Sequence, residues 1–264
     1  MTPHRLPNKL YHGYVFDLDG TVYLGDALLP GAKRAIETLR RAGRKMVFVS
    51  NKPTEPRRVY ADKLTRLGLP TPVEQVINSS YVTVHYLRRN APHARLFAIG
   101  EQPLLDELTA AGFRLSETPG EIDVVIASFD RTFVYRKLQI AFDAIRAGAQ
   151  FIATNADPYC PVPGGGEPDA ACIIAAIEAC TDHKVEQVVG KPSSIMARAA
   201  LDVLGLPPEA CLMVGDRVRT DVRMGKQAGM ATALPLTGAT TLAALAGSPW
   251  QPDFVLERLD QLLR

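Results

Sequence analysis

Short apolar runs rich in β-branched and aromatic residues alternate along the chain with longer stretches of helical periodicity. Seven runs read as strands, at residues 14–18, 45–50, 96–99, 123–128, 151–154, 211–214 and 230–234. Between them, segments 31–42, 57–67, 79–89, 103–111, 134–147, 169–180, 193–204 and 221–228 space apolar residues three and four apart, as amphipathic helices do. Gly43, Gly68, Gly112, Gly148, Gly205 and Gly229 each follow one of these segments, where a helix ends in left-handed backbone. Strands that alternate with helices predict an α/β fold with a mostly parallel sheet covered on both faces.

Candidate chemistry sits at the ends of these strands. The run ending Val15-Phe16-Asp17-Leu18-Asp19-Gly20-Thr21 closes on two acids one residue apart. In extended chain, residues i and i+2 point the same way, so Asp17 and Asp19 can share one site. Open α/β sheets place ligands at the C-terminal ends of their strands. Two acids there are costly unless a cation or a reaction uses them. The plainer alternative is a strand followed by an Asp-Gly turn. A calcium loop of the EF-hand type is excluded, because its third acid would fall at Thr21 and its glycine at Val22.

The run at 45–50 ends in Ser50-Asn51, whose hydroxyl and backbone N–H are donors suited to a phosphoryl oxygen, although Ser-Asn also begins ordinary helices. Gly190-Lys191-Pro192-Ser193 sets Lys191 beside a helix start and adds to an anion-attracting field. An exposed lysine in a turn is the alternative there. No Gly-x-x-x-x-Gly-Lys precedes it, so this is not a P-loop. The run at 211–214 leads into Gly215-Asp216, with Asp221 five residues on. Asp216 suits a magnesium ligand, and Asp221 suits a second ligand through water, a support, or the N-cap of the next helix.

These motifs fall at 17–21, 50–51 and 190–221, whereas the middle of the chain has its own strand–helix alternation and none of them. We therefore expect a core formed by 1–78 and 187–264, with 79–186 an inserted α/β domain. A single larger sheet is the alternative. With 264 residues there is enough chain for either arrangement.

Composition narrows the partners. Hydrophobic residues make up 47% and charged residues 22%, and the net charge of +2 gives no case for nucleic acid or an anionic membrane as principal partner. No apolar run approaches the roughly 20 residues that span a bilayer. The N-terminal residues lead into polar sequence, so no signal peptide is expected. Cys160, Cys172, Cys180 and Cys211 show no Cys-x-x-Cys spacing, and Cys172 and Cys180 are expected on the buried face of the 169–180 helix. Reduced thiols point to a cytoplasmic protein.

In order and residue type, the four motifs match those of the haloacid dehalogenase (HAD) superfamily, and the chain resembles its phosphatases. The resemblance covers nearly the whole chain. The middle segment is similar to the α/β (C2-type) cap of the subgroup containing NagD, p-nitrophenyl phosphatases and phosphoglycolate phosphatase. It rests there on Phe151-Ile-Ala-Thr-Asn155-Ala-Asp157, Gly164-Gly165-Gly166 and the 169–180 helix. Gly100-Glu101-Gln102 and Ala156-Asp157-Pro158-Tyr159 look like AraL-type sugar phosphatases. Gly165-Gly166-Glu167 departs from the Gly-Ala-Gly common among relatives, which bears on substrate identity and not on the chemistry.

The resemblance implies a doubly wound, Rossmann-like core with an inserted cap. It also implies a Mg2+-dependent phosphatase for small phosphorylated metabolites, sugar phosphates first, with p-nitrophenyl phosphate as a generic substrate. Asp17 would be the nucleophile and Asp19 the general acid and base. Mg2+ would be held by Asp17, Asp216 and the main-chain carbonyl of Asp19, with Asp221 in support. Ser50, Asn51 and Lys191 would hold phosphoryl oxygens. Halide release would leave Asp19 without a task, so the name dehalogenase does not carry over. Asp130, Arg131, Asn155 and Asp157, in loops after cap strands, are expected to meet the leaving group at an interface between the domains, or else to satisfy loop backbone. A phosphomutase or a non-catalytic phosphate- and Mg2+-binding protein are the rival readings. The oligomeric state stays open, with a homodimer among the options.

Overall fold

A computed structural model describes residues 6–162 and 164–263, so the expectation about the first five residues lies outside the described residues. The chain divides into two compact units. One takes Met1–Ser50, Arg57–Ile77 and Lys191–Arg264, and the other Asn51–Pro56 and Asn78–Gly190. The second unit is thus wider than the expected 79–186. It gains 51–56 because Asn78 Nδ2, Ser79 Oγ and Ser80 Oγ donate to the carbonyls of Glu55, Asn51 and Pro53.

The first unit is built on a six-stranded sheet in the order Phe254–Leu256, Ala231–Pro235, Cys211–Val214, Gly13–Asp17, Lys45–Ser50, Val76–Asn78. Its pairings from Phe254–Leu256 through Lys45–Ser50 are parallel. This is the doubly wound order of Rossmann-like folds, and it reverses between Gly13–Asp17 and Cys211–Val214. Every residue of Gly13–Asp17 is buried. On one face Tyr14, Phe16 and Phe48 stack at 5.7 and 5.9 Å between centroids. Ala32, Ala35, Ile36 and Leu39 of helix Ala32–Arg41 pack in the same core. Burial of each such aromatic side chain contributes roughly 1.5–3 kcal/mol. On the other face helix Ser194–Leu204 lies against Lys45–Ser50.

The second unit has a parallel five-stranded sheet in the order Gln187–Val188, Gln150–Ala153, Val124–Ala127, Arg95–Ile99, Arg114–Leu115. Alternate residues feed two cores. Phe97, Val125 and Phe151 meet Ile140, Ile145 and Ile177, whereas Leu96, Ile126 and Ile152 meet Leu87, Leu104 and Leu108. An antiparallel ribbon pairs Tyr159–Val162 with Gly165–Pro168.

The six helix-ending glycines all have positive φ, as their positions predict. Two expectations fail. Helix Ala170–Thr181 buries Ala170, Ile173, Ile174, Ile177 and Thr181, so Cys172 and Cys180, eight apart, share its exposed side instead. The expected helix at 221–228 is a π-helical turn, Val218–Val222, that runs into a short α-helix, Arg223–Gln227. Among the described residues no helix is long and apolar enough to cross a membrane.

Candidate active site

The reversal in strand order opens a crevice at the C-terminal ends of two neighbouring strands, and the first unit puts its acids there. Phe16 pairs with Val214, so Asp17 comes one residue beyond that pair and Asp216, after Gly215, two residues beyond it at the end of the adjacent strand. Asp17 lies opposite Val49 on its other side, which brings Ser50 one residue further along. Asp17, Asp216 and Asp221 are all buried, and each offers an oxygen within 4.8 Å of the others.

Lys191 is 4% exposed and donates to Asp17 Oδ1 at 2.5 Å and Asp221 Oδ1 at 2.8 Å. It comes two residues before Ser193, whose Oγ caps helix Ser194–Leu204 by accepting the Ile195 N–H at 3.1 Å. Asp221 is not the N-cap of the following helix, because Val222 holds that position. The π-helical turn instead aims its carboxylate back, so that Oδ2 accepts the Arg217 N–H at 3.0 Å. Gly215 lies close against it, and a Cβ there would overlap the Asp221 side chain.

Asp216 is held on one side only. Its Oδ2 accepts the Ala239 N–H at 2.5 Å, and its Oδ1 is buried with no hydrogen-bond partner among the described residues. Gly20 and Gly238 pack on this carboxylate, and Thr237 Oγ1 ties the two turns by donating to the Gly20 carbonyl at 2.9 Å. The 237–239 turn was missed in the sequence. Its signal was a Thr-Gly just beyond strand Ala231–Pro235, the neighbour of Cys211–Val214. Asp19 lies outside the carboxylate cluster, in a turn where Gly20 N–H bonds the Tyr23 carbonyl at 2.8 Å.

Three buried acids share one buried lysine, and the titrations reflect that imbalance. Burial, then the Asp17 and Asp221 charges, push the Asp216 carboxyl up to about 8. Burial raises Asp221 to about 6, with Lys191 opposing. Burial alone would depress Lys191, but the Asp17 and Asp221 charges win and hold it well above the usual lysine range. An unpartnered buried oxygen among hard carboxylates is what a divalent cation of the magnesium or calcium kind fits. Asp17 and Asp216 are the residues best able to hold it, because both Asp221 oxygens are already engaged.

The remaining candidates belong to the second unit. Asp130 Oδ1 accepts the Thr132 N–H and Oγ1 at 2.8 and 2.6 Å, and its Oδ2 accepts from Lys137 at 2.6 Å. Arg131 is gripped in a fork, Nε to Glu101 Oε1 at 2.7 Å and Nη2 to Oε2 at 2.8 Å, with Glu167 at 3.7 Å. That pairing with Arg131 holds the Glu101 carboxyl below its usual range. Asn155 accepts from Thr154 Oγ1 at 2.9 Å and donates to Asp169 Oδ1 at 3.1 Å. Asp157 Oδ2 accepts from Asn51 Nδ2 at 2.9 Å. Of the four candidates Asp130, Arg131, Asn155 and Asp157, Arg131 alone is exposed.

Two family models match the chain, one described as haloacid dehalogenase-like hydrolase over residues 14–114 and one as HAD-hydrolase-like over residues 188–262. Sugar-phosphatase AraL of Bacillus subtilis strain 168 is 40% identical over 254 residues, spanning 96% of this chain and 92% of that protein. The crystal structure of 4-nitrophenylphosphatase from Thermotoga maritima matches with a TM-score of 0.91 at 36% identity, over 96% of each chain. NagD of Escherichia coli K-12 matches with a TM-score of 0.87 at 28% identity, over 96% of this chain and 98% of that one.

Proposed function

Since the chain belongs to the haloacid dehalogenase-like hydrolases, we propose that it is a phosphatase that hydrolyses small phosphorylated metabolites, sugar phosphates first, through a phosphoryl group carried on Asp17. The observation that carries this reading is the buried Asp17–Lys191–Asp221 chain beside Asp216, at the point where the strand order reverses. The similarity to a protein named sugar phosphatase, over nearly the full length of both, supports the substrate class.

Lys191 holds one oxygen of Asp17, which fixes the carboxylate's orientation and leaves the other oxygen to attack phosphorus. Asp221 in turn fixes Lys191. Asp19 gives a proton to the leaving alkoxide and then takes one from the water that hydrolyses the aspartyl-phosphate. The Ser50 hydroxyl, the Asn51 N–H and the Lys191 ammonium hold the remaining phosphoryl oxygens. Asp17, Asp216 and the Asp19 carbonyl would hold Mg2+, which would supply positive charge against the transferring group. Asp221 would act in support, by holding Lys191. Selection among leaving groups falls to the second unit, where Arg131 carries the exposed polar head. Four cysteines with no disulfide among them suit a reducing compartment, the cytoplasm.

Asp17→Asn should abolish phosphate release while the far-UV spectrum stays unchanged. Asp19→Asn should still form phosphoenzyme from p-nitrophenyl phosphate, whose leaving group needs no proton, and should then hydrolyse it slowly. Wild-type phosphate release by Asp17→Asn would overturn the covalent route.

A further inference from the structure

We propose that Asp157 is a positioning residue: through Asn51 it fixes the peptide that follows Ser50, and so the N–H offered to the transferring phosphoryl group. The proposal rests on the phosphatase reading above. Asn51 is held through side chain and main chain, its Nδ2 by Asp157 Oδ2 at 2.9 Å and its carbonyl by Ser79 Oγ at 2.7 Å. Side chain and carbonyl together leave the backbone of residue 51 little freedom to turn, and the direction of its N–H is fixed with them.

Asp157 itself ends a buried polar chain. Ser128 and Thr154 share a hydrogen bond at 2.8 Å, Thr154 Oγ1 donates to Asn155 Oδ1 at 2.9 Å, and Asn155 Nδ2 faces both Asp169 and Asp157. The chain therefore starts at the ends of Val124–Ala127 and Gln150–Ala153, buried inner strands of the second unit's sheet. Gly190 joins the same cluster. Its N–H donates to the Thr154 carbonyl at 2.8 Å, and a Cβ on it would overlap both that oxygen and Asn51 Oδ1. Gly190 is one peptide bond from Lys191, and Asn51 one peptide bond from Ser50, which follows the Val49 that lies opposite Asp17. Burying this many polar groups costs desolvation that an apolar core avoids, so what the chain supplies is orientation.

A phosphoryl donor serves every phosphate monoester alike, whereas a sugar contact serves some and not others. Four variants separate the two. Asp157→Ala should lower kcat about tenfold to a hundredfold, by the same factor on p-nitrophenyl phosphate and on each sugar phosphate. Asp157→Asn keeps an acceptor for Asn51 Nδ2 and should stay within about threefold of wild type. Asn51→Asp sets two carboxylates against each other and should lose as much as Asp157→Ala. The exchanged pair Asn51→Asp with Asp157→Asn restores a donor opposite an acceptor and should recover most of that loss. If Asp157→Ala does not fold, the Asn51→Asp variant and its exchanged partner carry the test alone. Losses confined to sugar phosphates, or an exchanged pair no better than Asn51→Asp, would overturn the positioning role while the Asp17-dependent activity of the wild type stood. A wild type that released no phosphate would overturn the phosphatase reading and this proposal with it.

Discussion

Asp216 has one oxygen bonded to a backbone N–H and the other buried without a partner. Its carboxyl is pushed up to about 8 by burial and by the charges of Asp17 and Asp221, whereas an Asp in an unfolded chain titrates at about 4. Between those values the folded, metal-free protein keeps a proton that the unfolded chain has already released. Stability from this group is therefore present at low pH and falls as pH rises through that window. Asp221, raised to about 6, acts in the same direction over a narrower range. A cation bound at the cluster takes the place of that proton, so its stabilising effect should grow with pH. Calorimetry should show millimolar Mg2+ raising Tm more at pH 8 than at pH 6, by at least about 2 °C. Asp216→Asn imitates the protonated side chain. It should melt higher than metal-free wild type at pH 8 and show little response to Mg2+. An equal Mg2+ effect at both pH values would mean that Asp216 does not exchange a proton for the metal.

The elements that place these groups were legible in the sequence where apolar runs were long and unbroken. Strands Lys45–Ser50 and Cys211–Val214 have the predicted ends, and the helix-ending glycines have the predicted backbone. Short edge strands such as Phe254–Leu256 and Val76–Asn78 were not legible, because three residues carry no period. The ribbon of Tyr159–Val162 and Gly165–Pro168 was hidden by its own Pro and Gly content, which reads as loop. Neither the π-helical turn that aims Asp221 at Lys191 nor the bond between Asn51 and Asp157, 106 residues apart, leaves a local pattern. Gly215 is where that turn can be tested. A Cβ there meets the Asp221 side chain, so Gly215→Ala should cost about 1–3 kcal/mol of stability as overpacking does. By displacing the anchor of Lys191 it should also lower kcat at least about tenfold. Gly229→Ala is the matched control. Its φ of 79° makes alanine strained by about 1–2 kcal/mol, but its Cβ would meet only Pro208 carbons at 3.9 Å. It should lose stability and keep its kcat, and a similar kcat loss in both variants would detach activity from the Asp221 turn.

Over the whole molecule, Asp17, Asp216, Asp221 and Lys191 lie in one unit, and in the proposed reaction they would address a phosphoryl group that every phosphate monoester shares. In that role they would supply rate without choosing a leaving group. Choice must come from side chains that touch the rest of the substrate, and the second unit's candidates divide by burial. Asp130, Asn155 and Asp157 are buried, with their polar atoms bonded within that unit. The Arg131 side chain is 56% exposed and is oriented beforehand by the Glu101 fork. A guanidinium already fixed loses little rotamer freedom when it binds a hydroxyl-rich ligand, and such economy favours selectivity. Arg131→Ala should therefore change relative kcat/KM among sugar phosphates about tenfold more than it changes p-nitrophenyl phosphate hydrolysis. Arg131→Lys should not restore the pattern, because an ammonium cannot reproduce the two-pronged hold of Glu101. Glu101→Gln should blur the preference partway, since it keeps an acceptor but weakens the grip. Asp157→Ala, measured on the same panel, should depress every substrate alike, so the two substitutions serve as each other's controls. If Arg131→Ala lowered all substrates equally, Arg131 would be a structural clasp for Glu101, and selectivity would have to be sought in the first unit.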